Sequence, residues 1–487
     1  MLGLIKSMAT RDGFPRHHTP ILLALSPTNP SCPIGQSGVR SRFEDHGTWV
    51  RTFAIEPAGM PRSLRPTNRE AGMEARIREQ VTNPRLREPA TRTIVDRTGA
   101  GPDFSGLRVA LVHDWLTGMR GGEKCLEVLC RAFPEATLYT LIHRKGALSP
   151  AIEAMRIRTS PLQHIPGVFR HYRHLLPIMP MAARSWRPGD VDLVVSLSHC
   201  VAKAVVPPPG VPHVCYCFTP MRYAWAARET YLEGWSNRPI RKAAARMLLS
   251  RLRRWDRRTS GRVTHFVAIS ETVRDRIARC YRRESRVIQP PVDADFYTPD
   301  PDARPRDEAY LVVSALVPYK RVDQAVAACS VTGRRLIVIG EGPERARLEA
   351  IAGPTVRFLG WQPDDVIRSH YRACRALLFP GEEDFGIVPI EAMACGAPVI
   401  ALGRGGVAET VDHSVGRTYS EPTTESLIAA LDAWEHDGLP YDPSMARRRA
   451  EGLALPIFRQ RLLGLLAEVV PTPGPHSVPP APHIDLT

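Results

Sequence analysis

Two carboxylates separated by seven residues are the feature of this sequence with the clearest chemical meaning. Glu383 lies in the segment GEEDFG and Glu391 in the segment IVPIEAMACG that follows, so the spacing is E-x7-E. The amides of Gly386, Ile387 and Val388 fall between them, and N–H groups at a helix start are unpaired and partly positive. Such a stretch suits a ligand with hydroxyls at its ends and phosphate in its middle, as in a nucleotide sugar.

The elements around these carboxylates must place them at a sheet rim for this chemistry to work. Residues 377–380 are a short apolar run, Pro389 and Gly396 bound a short helix, and the following PVIAL is again apolar. The pattern predicts strand, loop, helix, strand, and ligands bind beyond the carboxyl ends of parallel strands. The alternative is a solvated acidic loop at Glu383, with Glu391 only favouring the helix dipole.

A lysine earlier in the chain offers a positive charge for the same ligand. YLVVSALVPYKRVDQAV predicts a strand over residues 310–315, with Lys320 at the start of the next helix. A charge-assisted contact from this lysine to a diphosphate would contribute about 1.5–3 kcal/mol. In RRLIVIGEGPERARLEAIA, Gly340 and Gly342 would let the backbone approach the ligand, although a lone G-x-G is a weak signal.

The first structured half of the chain opens with a second strand, glycine loop and helix pattern. LRVALVHDWL predicts a buried strand over residues 107–113, and Gly121 and Gly122 follow in the loop before a helix. VDLVVSLSHC then predicts a strand over residues 191–196 with His199 just beyond its end. A lone histidine is usually structural, but the end of a parallel strand favours a functional position.

An aromatic and arginine-rich loop follows the next strand, in HVCYCFTPMRYAW. Tyr216 and Tyr223 could stack on a sugar ring, and Arg222 could hold a diphosphate with its planar fork. The same side chains could equally pack the edge of the domain. Both interpretations stay open from the residues alone.

Together these motifs resemble retaining glycosyltransferase family 4, which has the GT-B fold. The resemblance runs from about Leu107 to about Val470. It implies an α/β architecture of two Rossmann-like parallel-sheet domains facing across a cleft. We expect an acceptor domain over residues 106–298 and a nucleotide-sugar donor domain over residues 299–470, whose final helix crosses back to the first.

The resemblance also implies roles for single residues. Glu383 would hold hydroxyls of the transferred hexose, Lys320 the diphosphate, and His199 would meet the transferred sugar, while Glu391 would bind the ribose. Further donor contacts are expected at Phe385, Gly386, Ile387, Val388, Gly340, Gly342, Gly121 and Gly122, and acceptor contacts at Tyr216, Arg222 and Tyr223.

Three positions depart from the family pattern. Ala315 stands where an arginine is usual, so the second cationic contact is unassigned, with Arg321 as a substitute to consider. Phe218 and Ala226 stand where histidine and aspartate are common, so the acceptor contacts are carried over loosely.

Within the family, SALVPYKRVD and EEDFGIVPIEAMACGAPVIA are most similar to bacterial mannosyltransferases of polysaccharide assembly. These use GDP-mannose and build onto a polyprenyl-diphosphate-linked sugar or a saccharide. UDP-sugar enzymes share most of these residues, so they remain an alternative. A non-catalytic GT-B scaffold is another, and a sugar-nucleotide epimerase or phosphorylase is a third. The resemblance implies no cofactor and no obligatory metal.

Composition limits the partners. The chain has 487 residues, a net charge of +15, 46 prolines and ten cysteines. Its arginines could serve nucleic acid, an anionic membrane face or phosphate-bearing substrates, but no RNA-binding or zinc motif accompanies them. The scattered cysteines indicate reduced cytosolic thiols, and no apolar run is long enough to span a membrane. We expect a cytoplasmic protein, peripheral on the inner face of the plasma membrane.

Three further segments have sequence-based interpretations. Residues 1–105 are expected to be disordered. The alternative is that the natural start lies further in, for instance at Met60 or Met73, and that the segment before it is a gene-model extension. Residues 471–487 are an expected disordered tail. Residues 237–262 predict a basic helix with apolar residues along one side. It would rest either on anionic lipid headgroups or, as an ordinary domain helix, on the protein core.

Overall fold

Two parallel β-sheets organise the part of the chain that the structure describes. The computed structural model describes residues 102, 104–225, 239–302, 305–437 and 441–470. Nearly all of the expected segment 1–105 and the expected tail 471–487 lie outside the described residues. Within the described part, the two sheets confirm the predicted α/β class with two Rossmann-like domains.

The first sheet has seven parallel strands in the order β3-β2-β1-β4-β5-β6-β7. Every residue of β1, β4 and β5 is buried, as expected of central strands covered on both faces. The strands are β1 (Val109–His113), β2 (Thr137–Thr140), β3 (Arg156–Thr159), β4 (Leu193–Ser198), β5 (His213–Cys217), β6 (His265–Ala268) and β7 (Ser285–Val287).

The second sheet has six parallel strands in the order β10-β9-β8-β11-β12-β13. Its order repeats that of the first sheet without the last strand. The strands are β8 (Tyr310–Val313), β9 (Leu336–Ile339), β10 (Val356–Gly360), β11 (Leu377–Phe379), β12 (Val399–Leu402) and β13 (Gly416–Tyr419).

Helices cover both sheets. In the first part of the chain they are α1 (Gly121–Ala132), α2 (Pro150–Glu153), α3 (Val168–His171), α4 (Met179–Ala182), α5 (Pro239–Thr259) and α6 (Glu271–Tyr281). In the second part they are α7 (Val322–Thr332), α8 (Arg345–Ile351), α9 (Asp364–Ala373), α10 (Ile387–Ala394), α11 (Thr424–His436), α12 (Pro443–Glu451) and α13 (Leu455–Val469). None of the described helices combines the length and apolar character that a membrane crossing requires.

The last helix packs against the first sheet. Phe458 of α13 meets Tyr216 of β5 with ring centroids 5.7 Å apart. Just before this helix, the Leu453 carbonyl accepts a hydrogen bond from the Val292 amide at 2.9 Å. These contacts join the end of the described chain to the core of the first sheet.

The basic helix α5 packs on the core through part of its surface. Ala245, Leu249 and Leu252 are buried there, whereas Met247 is 54% exposed. The buried side of α5 therefore agrees with the interpretation of an ordinary domain helix that packs on the core. The opposite side presents exposed arginines to solvent.

The strand order fixes where each sheet can bind a ligand. In both sheets the order reverses beside the first strand, between β1 and β4 and between β8 and β11. Crevices for ligands lie at the carboxyl ends of the strands at such a switch point. His199 follows β4 directly, and the loop carrying Glu383 follows β11.

Candidate active site

Lys320 and Glu383 are brought into direct contact at the switch point of the second sheet. The Lys320 Nζ contacts the Glu383 Oε1, and both side chains line a small pocket with Ser314 and Phe379. Gly381 lets the two segments approach, because a Cβ there would lie 2.9 Å from the Lys320 carbonyl oxygen. The pocket thus offers an ammonium and a carboxylate side by side.

The charge state of Lys320 is tuned by its surroundings. Burial, together with the positive charge of Arg222, lowers the pKa of its ammonium to about 8, while the negative charge of Asp384 opposes the change. The contact with Glu383 also favours the charged form. Lys320 therefore remains mainly positively charged at neutral pH, although its pKa lies only about one unit higher.

The loop that carries Glu383 is fixed by its own sheet and ends in a helix start. The Glu383 carbonyl accepts a hydrogen bond from the Gly406 amide at 2.8 Å. Phe385 is buried, and Gly386 has φ of 89°, a left-handed conformation that favours glycine. The amides of Ile387 and Val388 are then the first of α10, as the sequence predicts.

The start of α10 faces the start of α1. A Cβ on Gly121 would lie 4.0 Å from the Ile387 Cδ1, so the glycine loop of the first domain abuts the loop of the second. A Cβ on Gly122 would lie 3.2 Å from the Phe218 ring, so this glycine makes room for that aromatic side chain. The two helix starts therefore line the same space.

Glu391 is buried within α10 beside residues of both domains. Burial raises the pKa of its carboxyl to about 7, and the positive charge of Lys124 opposes this. The Lys124 Nζ lies 3.9 Å from Oε1, and the Tyr371 hydroxyl donates to Oε2 at 3.3 Å. Glu391 can thus change its charge near neutral pH.

His199 is held in place by Asp114, a residue that the sequence interpretation did not single out. The buried Asp114 carboxylate accepts hydrogen bonds from the four backbone amides of residues 199–202 at 2.5–2.9 Å. Its Oδ2 also lies 3.0 Å from the His199 Nδ1, which leaves Nε2 as the nitrogen that can meet a ligand. An acidic residue directly after the apolar strand VALVH was the available signal.

The His199 ring is also set among aromatic and charged neighbours. It packs edge-on against Trp115 with ring centroids 4.4 Å apart. Burial lowers the pKa of its imidazole, Arg120 and Arg222 add to that effect, and Asp114 opposes it. The neutral ring is therefore favoured.

Arg222 of the first domain contacts the loop that carries Glu383 in the second domain. Its guanidinium donates to the Asp384 Oδ2 at 2.5 Å and lies 5.2 Å from the centre of the Tyr319 ring. Burial raises the pKa of the Tyr223 hydroxyl, and the positive charge of nearby Arg173 opposes this change. Arg222, a residue of the predicted acceptor loop, therefore contacts the residues next to Glu383 and Lys320.

Three sequence-predicted residues lie elsewhere. Tyr216 is fully buried in the core, and its hydroxyl donates to the Ile288 carbonyl at 2.9 Å, so the structure does not bring it to the cleft. A Cβ on Gly340 would overlap the Ser314 carbonyl, and one on Gly342 the Leu316 carbonyl. Close packing of the backbone therefore already requires both glycines, without any ligand.

Arg321 does not join the Lys320 and Glu383 pair. It adopts a left-handed conformation with φ of 51°, and its Nε lies 3.6 Å from the Asp323 Oδ1. No cluster of His, Cys, Asp and Glu among the described residues is arranged to hold a metal ion.

Two protein families match this chain. Residues 119–296 match the family described as Glycosyltransferase Family 4, and residues 294–452 match Glycosyl transferases group 1.

Curated relatives match part of the chain. A GDP-mannose-dependent alpha-(1-6)-phosphatidylinositol monomannoside mannosyltransferase of Mycolicibacterium smegmatis is 29% identical over 228 residues, covering 41% of this chain and 57% of the relative. The protein of the same name from Mycobacterium tuberculosis is 30% identical over 211 residues, covering 37% and 52%. The chain thus spans about half the length of these curated relatives.

Solved structures share the fold. Sucrose-phosphate synthase from Thermosynechococcus elongatus aligns with a TM-score of 0.55 at 18% identity, covering 74% of this chain and 98% of that one. Anabaena HepE, solved in complex with UDP, aligns with a TM-score of 0.53 at 16% identity, covering 74% and 100%. At these identities the likeness concerns the fold alone.

Proposed function

Since this chain belongs to the family 4 and group 1 glycosyltransferases, we propose that it transfers a hexose from a nucleotide sugar to a carbohydrate acceptor with retention of configuration. The observation that carries the proposal is the meeting of Lys320 and Glu383 at the switch point of the second sheet. A cation and a carboxylate at that place match the two ends of a sugar diphosphate.

The proposed donor would separate this pair and use both members. Its diphosphate takes the Lys320 ammonium and the amides of Ile387 and Val388, while Glu383 accepts hydrogen bonds from hydroxyls of the hexose. Glu391, buried further along α10, accepts hydrogen bonds from the ribose. Each group keeps a charged or polar partner throughout, so no buried charge is left unpaired.

The proposed reaction proceeds on one face of the sugar. The Asp114 carboxylate already accepts four amide hydrogen bonds, so it is poorly placed to act as a nucleophile. The leaving diphosphate then helps to take the proton from the acceptor hydroxyl. Lys320 and the amides at the start of α10 stabilise the charge that accumulates on the phosphates.

For the donor we propose GDP-mannose, and for the acceptor a polyprenyl-diphosphate-linked sugar or a saccharide chain. The likeness of EEDFGIVPIEAMACGAPVIA to bacterial mannosyltransferases supports this choice. Two relatives whose names specify GDP-mannose dependence support it further.

We place the reaction on the cytoplasmic face of an anionic membrane. Residues 161–187 contain four arginines and no acidic residue, and they pack beside α5. Phe169, Met181 and Met247 are 39%, 69% and 54% exposed on these segments. Exposed apolar side chains among arginines suit lipid headgroups.

Sedimentation with vesicles tests this placement. The protein should bind vesicles that contain an anionic phospholipid and be released by high salt, because the salt screens exposed charges. Equal binding to neutral and anionic vesicles, or none to either, would contradict it.

Incubation of the full chain with GDP-mannose, UDP-glucose and ADP-glucose tests the donor. Slow hydrolysis of GDP-mannose, with thermal stabilisation by GDP above that by UDP or ADP, is expected. Preference for a UDP-sugar would identify the alternative enzyme. Stabilisation by none of the three nucleotides would favour the non-catalytic scaffold.

A further inference from the structure

Asp384, the residue after Glu383, is bound by three side chains of the first domain. Its Oδ2 accepts a hydrogen bond from Arg222 at 2.5 Å, and its Oδ1 contacts Arg276. Its backbone carbonyl accepts a hydrogen bond from the Ser270 hydroxyl at 2.5 Å. The carboxylate is largely buried by these contacts.

Helix α6, which carries Arg276, is fastened to the second domain at another point. The Glu409 carboxylate accepts hydrogen bonds from the backbone amides of Glu271 and Thr272 at 2.9 and 2.8 Å, and from the Thr272 hydroxyl at 2.9 Å. These amides begin α6, where the helix itself provides no partner. They therefore report directly on whether the two domains are in contact.

Two consecutive residues of the donor loop are thus fixed from opposite sides. The Glu383 backbone is held by Gly406 of its own domain, and Asp384 by α6 and Arg222 of the other. His199 lies close enough to both Arg222 and Asp384 for their charges to act on its ring. The loop, the arginines and the histidine form one connected group.

We propose that Asp384 is a positioning residue that fastens the loop carrying Glu383 to the first domain. Through it, Glu383 and His199 come to act on the same sugar only while Arg222 and Arg276 hold Asp384. The catalytic part of this inference rests on the proposed function. The fastening itself does not.

Hydrogen exchange of the full-length protein tests the fastening without any substrate. In Asp384→Asn, one arginine faces an amide NH₂ group, and the amides of Glu271 and Thr272 should exchange at least about tenfold faster. The matched control is Asp412→Asn, which removes an aspartate paired with Arg449 within the second domain. Unchanged exchange at residues 271–272, or faster exchange throughout both sheets, would overturn the proposal.

Kinetics test the positioning. Asp384→Asn should bind GDP within about threefold of wild type, because Lys320 and the α10 amides remain, while turnover of the donor falls about 30-fold. Asp384→Glu should recover part of that turnover. Turnover at the wild-type rate, or equal losses of GDP affinity and turnover, would refute it.

The two proposals fail in different ways. If wild type neither binds GDP nor hydrolyses any nucleotide sugar, the proposed function is wrong. The exchange at residues 271–272 still decides whether Asp384 fastens the domains.

Discussion

The two walls of the cleft are built differently. One wall is made of Lys320, Glu383, Glu391 and the start of α10, and we call it the donor wall because we propose that it binds the donor. It draws its side chains from the two segments SALVPYKRVD and GEEDFGIVPIEAMACG. The first-domain wall, made of Asp114, His199 and Arg222, is held by contacts between residues far apart in the chain. The residues of the donor wall can therefore be recognised from short sequence motifs, while the opposite wall depends on tertiary contacts.

The sharpest test of this difference removes charges from the donor wall. Lys320→Ala and Glu383→Ala should each lower transfer by about 1,000-fold, because each removes a group proposed to bind the sugar diphosphate in the transition state. Both variants should keep wild-type circular dichroism. Transfer is measured with GDP-mannose, the proposed donor.

Glu382→Ala is the matched control in the same loop. Its carboxylate is half exposed and lies 3.3 Å from the Arg276 guanidinium. It should transfer within a few-fold of wild type. Comparable activity in Lys320→Ala or Glu383→Ala would break the assignment of the donor wall.

The first-domain wall should respond in a different quantity. His199→Ala should lower turnover by about 100-fold while GDP affinity stays within about twofold, since we propose that the ring meets the transferred sugar and not the nucleotide. Steady-state kinetics and calorimetry with GDP measure the two quantities separately. A parallel loss of GDP affinity would mean that donor binding and turnover are not assigned to separate walls.

His143→Ala is the control for this variant. His143 belongs to the same domain, and its ring pairs with Glu153 at 3.1 Å. Its removal should leave both turnover and GDP affinity unchanged.

Within the donor wall, pH separates the two charged groups. Below about 7 Glu391 takes up a proton and no longer accepts ribose hydrogen bonds as a carboxylate; above about 8 Lys320 loses its charge. GDP affinity should therefore be greatest between these values and fall by about tenfold for each further pH unit on either side.

Two substitutions assign the limbs. Glu391→Gln should flatten the acidic limb, and Lys320→Arg should flatten the alkaline limb, because arginine keeps its charge. Titration of GDP by calorimetry across the pH range provides the measurement. An acidic limb that persists in Glu391→Gln would assign it to the phosphate of the ligand.

The sequence predicted the fold class because the parallel strands are short apolar runs separated by glycine turns. It also predicted where Lys320, Glu383 and Gly386 lie relative to the strands and helices, because a nearby strand end or helix start fixes each of them locally. It missed Asp114 and Asp384, whose partners lie 85 and 162 residues away. Periodicity carries no information about such distances, and a carboxylate that binds backbone amides looks the same in sequence as a solvated one.

Substitution of Tyr216 should have the smallest effect of these variants. It tests whether a residue that the sequence predicted to bind the acceptor belongs to the core instead. It is aromatic and precedes the loop of Arg222, yet β5 is buried along its whole length. Tyr216→Phe keeps the ring packing against Phe458 and removes the hydroxyl that donates to the Ile288 carbonyl, so the free energy of unfolding should fall by about 1 kcal/mol. Denaturant titration measures this change, and the acceptor KM should not move. A raised KM with unchanged stability would return Tyr216 to the acceptor site, because a side chain confined to the core can affect the protein only through its folding.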